Sequence, residues 1–198
     1  MAGTHACATL FFHASFEELI ARYEALAEPA DGYLVRLNDP YLLTDAAATE
    51  TADWARQLYL ATALSEDEGI ALSILLVGEH WALSLSYNGQ CGPTAIFVPG
   101  DEQLLEQAPR QLLALEKALT ELFPGKVDQD EVDSLFGAIL ESAMPVEEAL
   151  TEILAMLNCP PNWLRWSWYE TIPQQLFVDP DLLDQVTPLG DARLFWEE

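Results

Sequence analysis

Apolar and polar positions follow two different periods along this chain, and the changes of period mark its elements. Ala6-Cys7-Ala8-Thr9-Leu10-Phe11-Phe12 is a run of apolar, β-forming residues and reads as a buried strand. Ser15 stands three residues before Glu18, the spacing of a capping box. Phe16, Leu19, Ile20, Tyr23 and Leu26 then recur at helical spacing, which predicts an amphipathic helix over 16–27. Pro29, Asp31 and Gly32 end it. Tyr33–Leu37 is predicted to be a strand, broken by Asn38-Asp39-Pro40. From Thr44 to Leu64 the pattern is helical, with Ala55, Leu58, Tyr59 and Thr62 on one face.

The strongest β signal follows. Residues 69–78 are almost wholly apolar, and Trp81–Tyr87 alternates apolar with small polar residues. Asn88-Gly89 has the composition of a type I′ turn, which needs positive φ at both central residues. Thr94–Val98 supplies the return strand, so a three-stranded meander is predicted over about 70–98. After Pro99-Gly100 the period is helical again. Asp101 suits the cap of a short turn, and Pro109 suits a first helical position. Leu112, Leu115, Leu119 and Leu122 line one helix, and Val132, Leu135, Phe136, Ile139 and Leu140 the next, opened by Asp128 and Glu131. Val146, Leu150, Ile153, Leu154 and Leu157 line a third, opened by Pro145 and closed by Asn158-Cys159-Pro160-Pro161. Residues 162–177 read as a short strand or a turn of helix, and 178–198 as an extended tail ending in Leu-Phe-Trp-Glu-Glu.

Together these elements predict an α+β fold: a mixed or antiparallel sheet that includes the meander, packed by amphipathic helices, followed by a C-terminal all-helical segment and an aromatic tail. One domain over 1–198 is expected, with a soft internal boundary near residue 100. The sheet part occupies 1–100, the helical part 101–177 and the tail 178–198.

Charge changes this picture most. The chain has 33 acidic residues against 8 basic ones, a formal net charge of -25. Residues 101–157 are the densest part, with 13 acidic and 3 basic residues, a net of -10. Such a field repels phosphates, which argues against nucleic acid and anionic membrane as partners; it suits a cationic partner such as a basic protein, or a metal, or serves solubility alone. No stretch of about 18 apolar residues occurs, and the N-terminus lacks the basic region of a signal peptide, so a cytoplasmic protein with reduced thiols is expected.

Candidate chemistry is sparse. Gln90-Cys91-Gly92-Pro93 resembles the nucleophile segment of papain-like cysteine peptidases, notably the bacteriocin-processing kind. The resemblance implies a Cys91 thiolate at a helix start, served by a downstream histidine. Here Cys91 is followed by the β-forming run Thr94–Val98, and no histidine follows His80. His80 and Cys91 fall at opposite ends of one hairpin strand, roughly 23 Å apart for about seven residues. Proton transfer needs about 3 Å. His5 and His13 lie at the two ends of the first strand and supply too few ligands for a metal. The acids from Asp128 lack the central glycine of a calcium loop, and Ile139 stands where its bidentate glutamate belongs. No cofactor is implied.

One cluster reads two ways, as rings that cover the sheet or plug a helical groove and, in part, as a binding surface. Trp163, Arg165, Trp166, Trp168 and Tyr169 gather aromatic rings and a guanidinium, and Glu141, Glu147, Glu148 and Glu152 precede them. Rings of this kind anchor interfaces. The expected function is therefore a non-enzymatic acidic binding protein for a basic protein, of the inhibitor, immunity or adaptor type. The alternatives are a hydrolase using Cys91 and a small-ligand or metal sensor. The oligomeric state is left open by the sequence.

Overall fold

The structure is a computed structural model that describes residues 5–50, 53–67 and 69–192, with the backbone alone at Glu50. It is α+β, built on an open seven-stranded sheet in the order β6-β5-β4-β1-β3-β2-β7, in which every neighbouring pair is antiparallel. The strands are β1 (His5–Phe12), β2 (Gly32–Arg36), β3 (Tyr41–Asp45), β4 (Ile70–Val77), β5 (His80–Tyr87), β6 (Gln90–Phe97) and β7 (Val186–Leu189). The helices are α1 (Phe16–Glu24), α2 (Ala46–Glu50), α3 (Trp54–Leu64), α4 (Glu102–Leu122), α5 (Gln129–Leu140), α6 (Val146–Met156) and α7 (Ile172–Val178).

The period-two pattern of β1 sends successive side chains to opposite faces, and each face has its own core. Ala6, Ala8, Leu10 and Phe12 pack under α4, α5 and α6 together with Leu72, Ile74, Leu76, Leu83 and Leu85. On the other face Phe11 joins Leu19 and Tyr23 of α1, Leu60 and Leu64 of α3, and Leu34 and Leu43. Helices from beyond residue 100 thus share a core with strands from before it.

Local chemistry explains the ends of the elements. Ser15, Asp53, Asp101 and Asp128 each accept a backbone N–H from three residues ahead, which caps α1, α3, α4 and α5. Arg22 donates to the carbonyl of Glu66 at 2.8 Å and pairs with Asp67 at 2.7 Å, tying α1 to the end of α3.

Three expectations need correction. Thr44 and Asp45 are not helical: Tyr41–Asp45 is β3, because a hairpin closed by Leu37 N–H on Pro40 O at 3.0 Å returns the chain along β2. Its five residues are too short a run to separate from the helix that follows. Pro109 does not open a helix: α4 runs unbroken from Glu102, since Leu112, Leu115 and Leu119 are buried in the core and outweigh one lost hydrogen bond. Residues 162–177, read as a short strand or a turn of helix, take the second form: two 3-10 turns, Pro161–Trp166 and Tyr169–Thr171, lead into α7. The segment from 178 is not merely extended. Pro180–Gln185 is a 3-10 turn, and Val186–Leu189 becomes β7, paired with β2. The expected Leu-Phe-Trp-Glu-Glu end lies outside the described residues.

The meander holds a detail that the pattern did not show. The Asn88-Gly89 turn, with φ of 51° and 68°, pairs Tyr87 with Gln90 and Ser86 with Cys91. Leu85 then stands against both Gly92 and Pro93, a bulge that shifts the register by one. Ser84 faces Thr94, and Trp81 faces Phe97 where the unshifted register would have given Ile96. Gly92 has no room for a side chain: a Cβ there would stand 2.8 Å from Tyr87 Cε1 and 2.9 Å from Leu85 O. Pro93 donates no hydrogen bond and sits on an edge strand, where none is needed.

Candidate functional site

The aromatic cluster divides between core and surface. Trp163 and Trp166 are 0 % exposed and belong to the larger core. The Trp163 indole N–H donates to Thr151 Oγ1 at 3.0 Å, which joins the first 3-10 turn to α6. Neither ring offers area to a partner. Tyr169 is half-buried and stacks on Tyr33 at 5.1 Å, and burial raises the pKa of the Tyr33 phenol. Trp168 is half-buried against His5, with ring centroids 5.4 Å apart. Arg165 lies over Trp166 at 5.0 Å and donates to Gln175 Oε1 at 2.8 Å, with Asp179 at 3.8 Å. Trp168 and Arg165 do share a depression of about 470 Å³ with His5, Glu170 and Gln174. None of Glu141, Glu147, Glu148 and Glu152 lines it. The expected joint surface of tryptophans and acids is therefore two separate places, because the 3-10 turns bury the first two rings under α6.

Cys91 is exposed on β6, 3.7 Å from Ser84 Oγ and 3.9 Å from Thr94 Oγ1. Its partner on β5 is Ser86, while His80 pairs with Val77 at the other end of β5. Six residue steps along a strand separate the two by about 20 Å. His80 does not serve Cys91 as a base, and Cys91 opens no helix. The other thiols are shut in: burial, first of all, pushes Cys7 and Cys159 up to about 12.

One buried charge pair is architectural. Asp45 accepts from Arg56 through Nε at 3.3 Å and a terminal nitrogen at 2.9 Å, from Tyr23 Oη at 2.6 Å, and from Ala48 N at 3.2 Å. Burial, and then the Asp45 carboxylate, raise the Tyr23 phenol. These bonds fasten α1, α2 and α3 to the end of β3. No three His, Cys, Asp or Glu side chains among the described residues gather as a metal site would require. No described helix is long and apolar enough to cross a membrane.

A groove that the sequence did not suggest lies where the meander meets the turn between α5 and α6. Its volume is about 470 Å³, and Trp81, Phe97, Pro99, Ile139, Met144 and Val146 supply its apolar wall. The rings of Trp81 and Phe97 are stacked almost parallel, at 5.4 Å and 3°. Among the described residues its only charged lining is Glu79 and Glu147. Four other depressions each include a cation: Lys126, Arg165, Arg36 and Arg56. The groove lies between two segments, 57–109 and 127–164, that contain no Lys or Arg, although they hold seven and eight acidic residues. Of the expected acids, Glu147 lines it, Glu141 sits in the adjoining turn, and Glu148 follows on α6. Glu152 is exposed two turns along α6 from its first residue.

Compared with models of protein families, with curated proteins and with solved structures, the chain matches none.

Proposed function

We propose that this is a non-enzymatic acidic binding protein whose partner is a basic protein, in the manner of an inhibitor, immunity protein or adaptor. The observation that carries the reading is the pair of segments 57–109 and 127–164, which have 15 acidic residues between them and no Lys or Arg. They adjoin along one groove. A one-signed field of this kind steers an oppositely charged partner and penalises a like-charged one. The separation of His80 from Cys91 weighs in the same direction, because it leaves the one sequence-based nucleophile without its base.

The test is capture of the partner from the native host, its identification, and reconstitution of the complex from purified components. The dissociation constant should rise at least about tenfold as NaCl goes from about 0.05 M to 0.3 M, since salt screens exposed charges. A reconstituted complex whose affinity ignores salt would contradict a charge-driven binder.

A further inference from the structure

We infer that the outer flank of α4 is a self-association surface, on which a second copy of this chain docks antiparallel about a two-fold axis near Pro109. This face and this partner differ from those proposed above, and the two stand independently.

The apolar part of the surface is a stripe. Leu105 is 38 % exposed and Leu113 46 %, and the exposed ring of Pro109 stands between them. Residues four apart lie one turn apart on the same side of a helix, so the three share one flank of α4. The opposite flank is already spent: Ala108, Leu112, Leu115 and Leu119 are in the core. The proline ring is rigid, so covering it costs no side-chain entropy.

Charge selects the partner and its direction. Asp101, Glu102 and Glu106 precede Pro109, and Arg110 and Lys117 follow it, all of them exposed. Neither cation has a described carboxylate within ion-pair distance. Glu116, which would break this order, is 3 % exposed and accepts from Gln129 at 2.7 Å. A two-fold axis at Pro109 reverses the second helix against the first, so that a residue before the axis meets one as far after it. Leu105 then faces the second copy's Leu113, Lys117 faces the second copy's Asp101 and Glu102, and Arg110 comes beside the second copy's Glu106. The same patch serves both copies, as an isologous dimer requires. A parallel copy would set like charge against like. Elsewhere two chains of net charge -25 repel each other, and no other described element carries two Lys or Arg. Two helices about 31 Å long cover less than the roughly 800 Å² per partner of a stable complex, so the dimer is weak and reversible.

The experiment is sedimentation equilibrium of the full chain from about 1 to about 300 µM, in about 0.15 M NaCl to screen the net repulsion. A monomer–dimer equilibrium should appear, with a dissociation constant of about 10–100 µM. Leu113→Glu should leave a monomer. Glu106→Arg alone and Arg110→Glu alone should each weaken the dimer at least about tenfold, because each sets like charges across the axis. All three changes are at exposed positions, and circular dichroism should show folded chains that melt close to the unaltered one. Mixing the Glu106→Arg chain with the Arg110→Glu chain should restore the dimer, since each then meets its opposite charge in the other. A purely structural effect of either change is not repaired by mixing. A chain that stays monomeric across the range would overturn the surface. So would a dimer indifferent to Leu113→Glu, or two charge variants that remain apart when mixed.

Discussion

Trp166 is the residue at which the sequence leaves two readings, core or interface, and the structure decides for core. Its neighbours in the chain are polar and aromatic, and sequence alone does not say which side of the cluster is covered. The 3-10 turn has three residues per turn and puts Trp163 and Trp166 on one side, inward. Trp166→Ala should therefore cost about 3–5 kcal/mol in urea unfolding. A loss below about 1 kcal/mol would place this ring outside the core. The cysteines divide in the same way. In the folded protein iodoacetamide at pH 8 should label Cys91 alone, because Cys7 and Cys159 are buried and, with pKa values pushed up to about 12, roughly one in ten thousand is thiolate. Mass spectrometry of the labelled chain checks this. The same shifts carry a sign for stability. A folded-state pKa raised from 9.0 to about 12 favours the protonated fold, so the contribution is intact below pH 9 and lost as pH climbs towards 12. The loss approaches about 1.4 kcal/mol per pH unit for each thiol. Unfolding midpoints should fall from pH 9 to 11, and less steeply in Cys159→Ala; an equal slope in that variant would contradict the assignment.

At the scale of elements, the legible parts were those with strong periodicity or a turn residue of fixed chemistry. The meander follows from alternation and Asn88-Gly89, and α1, α5 and α6 from helical periodicity and the residues that open them, Ser15, Asp128 and Pro145. β3 and β7 were hidden because each is only four or five residues long and gains its stability from pairing with β2 across the sheet, a long-range contact that no local window contains. The bulge was hidden for a related reason. Gly92-Pro93 reads as part of a peptidase-like motif, yet its effect is to shift β6 by one residue and set Phe97 opposite Trp81. The groove depends on that shift, so its residues Trp81, Phe97, Glu79 and Met144 carried no signal of their own. Gly92→Ala should destabilise the chain by about 1–3 kcal/mol, because its Cβ would meet Tyr87 and the Leu85 carbonyl. Thermal melting checks this, and a neutral substitution would contradict the close approach.

For the whole molecule, the net charge was legible at once, while its arrangement was not. Composition gives -25 but says nothing of where cations lie. The fold spends three of its arginines on carboxylates: Arg22 on Asp67, Arg56 on Asp45 and, more loosely, Arg165 near Asp179. The meander and the α5–α6 layer contain no Lys or Arg of their own. The two acidic segments adjoin there along the groove, and the proposed binding of a basic protein rests on their adjacency. Carbodiimide coupling of the reconstituted complex is the most direct test, since it joins a carboxylate to an amine only where the two already touch. Peptide mapping should find carboxylates of residues 57–109 or 127–164 joined to partner lysines. Links confined to carboxylates outside these two segments would contradict the proposed binding.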